Sequence, residues 1–399
     1  MNPIATHAKR THALLSASKA EQWINCPPSA RLQEGVSDTR SEYADEGTLA
    51  HELAETKLRR RLLLCSASER KRLDTRLREI QANHLYSAEM EQLTQEYAEF
   101  VEERFLTAKA RSSDAVVLLE EPLDFSEWVP EGYGTGDVVL IADGVLEVID
   151  LKYGKGVPVS AAGNPQIQLY ALGAWSGYGY LYDIREIQMT IYQPRLDNIS
   201  TDTMTVEELL NWADNVVRPA AAQAYAGEGE PRPGDHCRWC KVKATCRARA
   251  DENMKALAYE FRDPALLTNE EIGQILFIAD QLKAWVKDVE DYALEQALRG
   301  KKIPQWKLVE GRSTRKITDE FEAVRRLFDL GYEPDAVAPR ALLGISKLEK
   351  LLGKKQFTET LGELVEKPPG KPVLVPETDK RPELNSIEAD FKNINFEEE

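Results

Sequence analysis

Asp137, Asp150 and Lys152 are spaced so that a single β-hairpin would bring them together. Residues 137–142 (Asp-Val-Val-Leu-Ile-Ala) and 145–152 (Val-Leu-Glu-Val-Ile-Asp-Leu-Lys) read as strands, and Asp143-Gly144 between them is a two-residue turn of the kind hairpins prefer. Pairing Ala142 with Val145 and counting outward sets Asp137 opposite Asp150. Directly opposed residues share a face, about 4.5–5.5 Å apart at Cα. Alternation along the strand adds Lys152 to that face. Two carboxylates so close repel unless a proton or cation neutralises them. A hard divalent cation such as Mg²⁺, which takes oxygen ligands, meets that need. A solvated strand end carrying Asp-x-Lys by chance is the plainer alternative, and the triplet alone does not exclude it.

The flanking elements supply the context. Asn164-Pro165 opens a helical pattern, Gln166-Ile-Gln-Leu-Tyr170-Ala-Leu-Gly-Ala-Trp175, in which Gln166 and Tyr170 share one face as an i, i+4 pair. Upstream, Glu46-Gly47-Thr48-Leu49-Ala50-His51-Glu52-Leu53-Ala54-Glu55 reads as a helix with a single histidine in its first turns. Gly134 and Gly136, before the first strand, allow close backbone approach or act as simple turn glycines. Taken singly, His51 is a surface or capping histidine, Gln166 helix surface and Tyr170 core; their value is positional. His84 has no such context.

His51, Asp137, Asp150-x-Lys152 and Gln166-x3-Tyr170, in that order, resemble the RecB-like branch of the PD-(D/E)XK nuclease superfamily. The resemblance covers residues 12–250 and implies an α/β fold: a restriction-endonuclease-like core with a small mixed sheet flanked by helices. It implies Mg²⁺ or Mn²⁺ held by His51, Asp137, Asp150 and the backbone carbonyl of Leu151. Lys152 would orient or activate the attacking water, and Gln166 and Tyr170 would hold the scissile strand or support Lys152. No covalent intermediate is needed.

Five cysteines form the second constellation. Cys237, Cys240 and Cys246 make a C-x2-C-x5-C run after His236, and Cys26 stands far upstream in Trp23-Ile-Asn-Cys26-Pro27-Pro28. Four thiolates suit either structural zinc or an iron–sulfur cluster. One N-terminal cysteine with a C-terminal C-x2-C-x5-C is similar to the four-cysteine staple of AddB-type and CRISPR-associated RecB-like nucleases. That likeness implies a [4Fe–4S] cluster tying the ends of the nuclease domain together, with structural Zn²⁺ as the alternative. The odd count and the lack of a small disulfide-rich domain argue against disulfides. Cys65, in Arg61-Leu-Leu-Leu-Cys65, reads as an ordinary core thiol, and His236 as a neighbour of the cluster rather than a ligand.

The 399 residues allow two domains, and 42% apolar with 30% charged residues is a globular composition. No apolar run reaches the length of a membrane span and no signal-peptide core opens the chain, so the expected location is intracellular, which the phage-family resemblance given below would make the cytoplasm of a bacterial host. A net charge of −16 disfavours a simple nucleic-acid binder, which usually carries a basic face. The charge is uneven, however: Lys57 to Arg78 holds nine Lys or Arg against Glu69 and Asp74, and Arg232 to Arg249 is also basic. Each run is a solvated face or, if it lines a groove, a phosphate contact.

Element by element, the pattern predicts a helix to Asn25 with a serine among residues 16–18 available as its cap. Helices over 47–64 and 67–110 follow, then a strand at 116–120, the hairpin, helix 165–177, strand 185–194 and helix 205–226. This gives a nuclease domain over 1–250 and a mainly helical region of unknown role over 251–366. That region includes a long amphipathic helix at 270–298, a strand at 304–309 and helices at 318–330 and 346–365. An acidic tail over 367–399 reads as disordered. The layout resembles a phage and prophage family of RecB-like proteins. The expected activity is therefore a metal-dependent DNA exonuclease acting on single strands or duplex ends in replication or recombination, with a single-strand-binding or annealing protein as a further partner. A DNA-binding or assembly module and a structure-specific endonuclease are the rivals.

Overall fold

The computed structural model describes residues 13–36, 42–142, 144–255 and 267–306. A 3₁₀ turn at Ala17–Lys19 runs into α1 (Ala20–Asn25), and α2 (Ser29–Leu32) follows Pro27-Pro28. The Ser16 side chain makes no capping bond; instead the Ser16 carbonyl accepts from the Trp23 indole at 3.1 Å, so the expected serine cap is absent. Next come α3 (Glu42–Leu62), α4 (Ala67–Gln81) and α5 (Ala88–Arg111). The single helix expected over 67–110 is thus two. Ser66 with Glu69 forms a capping box at the start of α4, and Ser87 caps α5 by accepting from Met90 N.

Five strands follow, β1 (Val116–Asp124), β2 (Tyr133–Ala142), β3 (Val145–Leu151), β4 (Glu186–Gln193) and β5 (Asn198–Thr205), in the spatial order β1-β2-β3-β4-β5. β3 and β4 are parallel and the other neighbours antiparallel. The parallel pair is joined by α6 (Pro165–Tyr178), which Asn164 caps by accepting from Gln166 N and Ile167 N. β5 has no counterpart in the sequence reading. Its residues alternate between half-buried and exposed and are mostly Ser, Thr, Asn and Asp, as a polar edge strand allows. Thr205 and Glu208 close a second capping box at α7 (Val206–Trp212), which passes through a π-turn into α8 (Arg218–Ala226). The described part ends with α9 (Arg247–Met254), α10 (Asn269–Leu298) and a short stretch to Trp306.

Strand alternation sorts the core into two layers. Val139, Ile141, Leu146, Val148, Ile187 and Met189 pack with α6, α1, α7 and α8. Val138, Leu140, Ile149 and Leu151 face the other way, onto Tyr97, Val101 and Phe105 of α5 and Leu58 of α3. The architecture is therefore a small mixed sheet between helices, the α/β core expected from the sequence, followed by a helical segment at α10. Contacts divide the chain into Met1–Ala293 and Leu294–Glu399, so most of α10 belongs to the first compact unit. The strand expected at 304–309 and the helices at 318–330 and 346–365 lie wholly or largely outside the described residues, as does the 367–399 tail. Among the described residues no helix is long and apolar enough to cross a membrane.

Candidate functional site

The hairpin register is the one the turn predicts. Ala142 pairs with Val145 and Val138 with Ile149, with Gly144 at φ +76° where the turn needs a left-handed residue. The next position outward is Asp137 beside Asp150. There the ladder gives way to a side-chain bond, the Leu151 N–H donating to Asp137 Oδ2 at 2.7 Å. Asp150 is buried, and its Oδ2 lies 2.9 Å from Lys152 Nζ without a well-directed hydrogen bond. α3 brings His51 Nδ1 to 3.3 Å from Asp137 Oδ1.

α6 covers the same end of the hairpin. Gln166 Oε1 accepts from Lys152 Nζ at 2.9 Å, while its Nε2 donates to the Tyr170 hydroxyl at 3.3 Å and, at 3.4 Å, to Asp150 Oδ1. One amide thus orients the lysine and the carboxylate together. Gly134 lets Tyr170 reach this place: a Cβ there would sit 2.7 Å from the Tyr170 ring. A Cβ on Gly136 would meet Leu123 at 2.8 Å, so both glycines serve close side-chain approach within β2.

Glu120 joins the site without having been singled out in the sequence. β1 pairs Leu119 with Val138 and Glu121 with Gly136, which leaves Glu120 opposite Asp137. Its φ of +50° departs from the strand, a conformation uncommon outside glycine that costs on the order of 1 kcal/mol. Ligand atoms of His51, Glu120 and Asp137 all lie within 4.8 Å of one another. The acidic residue was visible in Glu120-Glu121, but its place depends on the β1–β2 pairing.

The electrostatics follow from burial and proximity. Burial opposes charge on His51, yet the Asp137 carboxylate outweighs it and raises the imidazole to about 9. Burial also opposes ionisation of Asp137, which His51 and the Leu151 N–H nevertheless hold below the usual range. Asp150 is pushed up by burial and by Asp137, against the pull of Lys152. Burial and then Asp137 raise Glu120 to about 7. Three carboxylates and one imidazole, half-buried except for the buried Asp150, gather oxygen and nitrogen donors that fit a divalent cation, whose binding would release the proton His51 holds.

The cysteines meet in a second place. Cys26, at the end of α1, and Cys237, Cys240 and Cys246 line one cleft with His236. The cleft is built from short turns: Cys240 N bonds to Cys237 O at 3.1 Å and Lys243 N to Cys240 O at 3.2 Å. Buried His236 bonds through Nε2 to the Arg232 carbonyl at 2.9 Å. Burial opposes its charge, but Cys237 and Cys26 outweigh it and raise the ring to about 10. Four thiols from distant segments around one cleft are a donor set that fits a thiolate-held metal centre. Asp288 of α10 bridges Lys243 Nζ at 2.8 Å and Arg249 at 2.7 Å, tying this lobe to the downstream helix. Cys65 is not in the core as expected. It lies past the end of α3, half-buried, its thiol 3.5 Å from the Arg59 carbonyl.

Much of the first basic run is occupied structurally. Lys57 is buried on Glu91 and Thr94, Arg60 pairs with Asp74, Arg61 with Glu99 and Glu102, and Arg76 with Glu52 and Glu79.

Among solved structures, a protein from Eubacterium rectale named "Putative exonuclease" is 12% identical, with 60% of this chain and 90% of that one covered at a TM-score of 0.34. A protein named SSO0001 is 15% identical, covering 56% of this chain and 95% of that one at a TM-score of 0.20. Likenesses this distant leave the site to be read from its own residues. A family model described as "Protein of unknown function (DUF2800)" matches residues 12–382, and the chain belongs to that family.

Proposed function

We propose that this protein is a divalent-metal-dependent deoxyribonuclease, acting as a DNA exonuclease in phage replication or recombination. The observation that carries this reading is the convergence of His51, Asp137, Asp150, Lys152 and Gln166 at one end of the hairpin. His51, Glu120, Asp137 and Asp150, with the Leu151 carbonyl, would hold the cation. When bound there, Mg²⁺ or Mn²⁺ supplies a Lewis acid for the phosphodiester and acidifies water. Lys152 then orients the attacking water and offsets charge developing on the phosphate. Gln166 fixes the lysine's direction through its 2.9 Å bond, and Tyr170 fixes Gln166. Asp150, buried and short of directed hydrogen bonds, is costly for a module that only binds DNA.

The cysteine cleft would hold a [4Fe–4S] cluster, with zinc as the other occupant its thiols suit. Its role in this reading is structural, closing the N-terminal helices onto the chain that follows the sheet.

The decisive experiment offers a linear duplex and a covalently closed circle to the protein with Mg²⁺ or Mn²⁺. Loss of the linear DNA with an intact circle supports the exonuclease; cutting of the circle makes it an endonuclease. Asp150→Ala should abolish either activity while leaving the fold in place. Wild-type cleavage by purified Asp150→Ala would overturn the site assignment.

A further inference from the structure

The cysteine lobe carries an aromatic side chain that the site above does not use. Trp239 exposes 66% of its surface, although it sits between Cys237 and Cys240 on a turn held by backbone hydrogen bonds. The ring is therefore offered to solvent from a fixed backbone. The Arg238 guanidinium lies 5.3 Å from its centroid, a cation–π contact.

The stretch of chain that carries the ring is basic. Residues 232–249 hold six Lys or Arg against the single acid Asp235, in a chain whose net charge is −16. Lys243 and Arg249 are taken up by Asp288. Arg232, Arg238 and Arg247 are exposed, and no carboxylate pairs with them among the described residues. A solvated basic face needs no aromatic ring, and an exposed ring alone needs no cations. The two together match a ligand with a flat apolar surface and repeated negative charge. Bases in a duplex are stacked on one another, whereas those of a single strand are free to stack on protein.

We infer that Trp239 with Arg232, Arg238 and Arg247 is a docking surface for single-stranded DNA, the ring stacking a base and the arginines meeting phosphates. The identity of the polymer rests on the nuclease reading; the surface itself contributes none of the groups proposed for hydrolysis.

The test is binding by fluorescence anisotropy in EDTA, where no cleavage interferes. The probes are a labelled single-stranded oligonucleotide, an abasic strand of the same length, and dextran sulfate as competitor. Wild-type protein should prefer the strand with bases. Trp239→Ala should weaken binding to it roughly 5- to 150-fold, the span for one lost base stack, and leave the abasic strand unchanged. Trp239→Phe should retain most of the affinity. Arg232→Gln with Arg247→Gln should weaken both strands and lower the slope of log K against log salt by about 0.7 per lost phosphate contact. If Trp239→Ala melts early, Trp239→Leu keeps apolar bulk without a ring and replaces it.

Equal wild-type affinity for the two strands, or displacement of both by equally low dextran sulfate, would reduce the surface to a general polyanion site and overturn the proposal. So would unchanged binding by Trp239→Ala. Stacking that persists in a protein inert with every metal would sink the nuclease reading alone. Cleavage by a protein indifferent to Trp239 would sink this surface alone.

Discussion

The carboxylate site and the cysteine lobe are both places where side chains converge, but they are held together by opposite means. Around Asp137 and Asp150 the backbone does the work: a two-residue turn sets the register, the strands are buried on both faces, and α6 is fixed over them by a capped first turn. In the lobe, Cys237, Cys240 and Cys246 sit on short turns with little apolar packing, and their partner Cys26 comes from the other end of the domain. In the function proposed above, the first site would offer a cation a geometry the backbone already sets, and the second would be a set of donors that a bound metal holds together. Losing a ligand should therefore cost activity in one place and stability in the other.

Lys152→Ala attacks the carboxylate site without touching its ligands. Cleavage should fall about a thousandfold, the scale of a lost proton-handling group, while a calorimetric metal titration stays close to wild type. Unchanged turnover would return Lys152 to the rank of a strand-end residue.

Cys26→Ser attacks the other place. Unfolding should lose about 3–5 kcal/mol, the scale for opening a long closed loop, and activity should fail with temperature rather than at the chemical step. Anaerobically purified wild-type protein should be brown, with iron and sulfide in equal amounts. Colourless protein with one zinc per chain would keep the staple and change its occupant. Protein without metal and with five freely titrating thiols would end the contrast.

Glu120→Gln sharpens the comparison through pH. Burial and Asp137 raise this carboxyl to about 7, above its unfolded value of about 4.3. The folded state therefore holds the proton more tightly, and the stability that Glu120 contributes declines as pH rises from about 4.3 to 7. Metal-free Glu120→Gln should gain thermal stability over wild type at pH 8 and little at pH 4, while binding the cation more weakly. Superimposable melting curves across that range would remove Glu120 from the site. The smallest effect belongs to Cys65→Ser, which should change stability by less than about 1 kcal/mol and leave metal content and cleavage alone.

The sequence was most legible where structure is local. Asp143-Gly144 fixed the placement of Asp137, Asp150 and Lys152, and Asn164-Pro165 fixed the start of the helix bearing Gln166 and Tyr170. Glu120 was hidden because its position depends on a strand pairing and on a left-handed backbone that no spacing encodes. β5 was hidden because a polar edge strand lacks the apolar alternation that marks a strand. The break between α4 and α5 was readable in principle: Ser87 followed by Glu89 and Glu91 is a helix start, masked by continuous charge on both sides. The four cysteines line one cleft because of the fold; their spacing alone pointed to zinc, the commoner tetrathiolate occupant, and only the family resemblance turned the expectation to iron–sulfur.

The distance along the chain between Cys26 and Cys237 also orders events during synthesis. At roughly 5–20 residues per second, the stretch of about 200 residues between them takes about 10–40 s to translate. All five strands and α6 leave the ribosome in that interval, so the sheet can form while the N-terminal thiol still has no companions. Asp288, which braces the lobe through Lys243 and Arg249, emerges later still. The newborn chain thus carries Cys26 without Cys237, Cys240 and Cys246 until residue 246 of its 399 has been made.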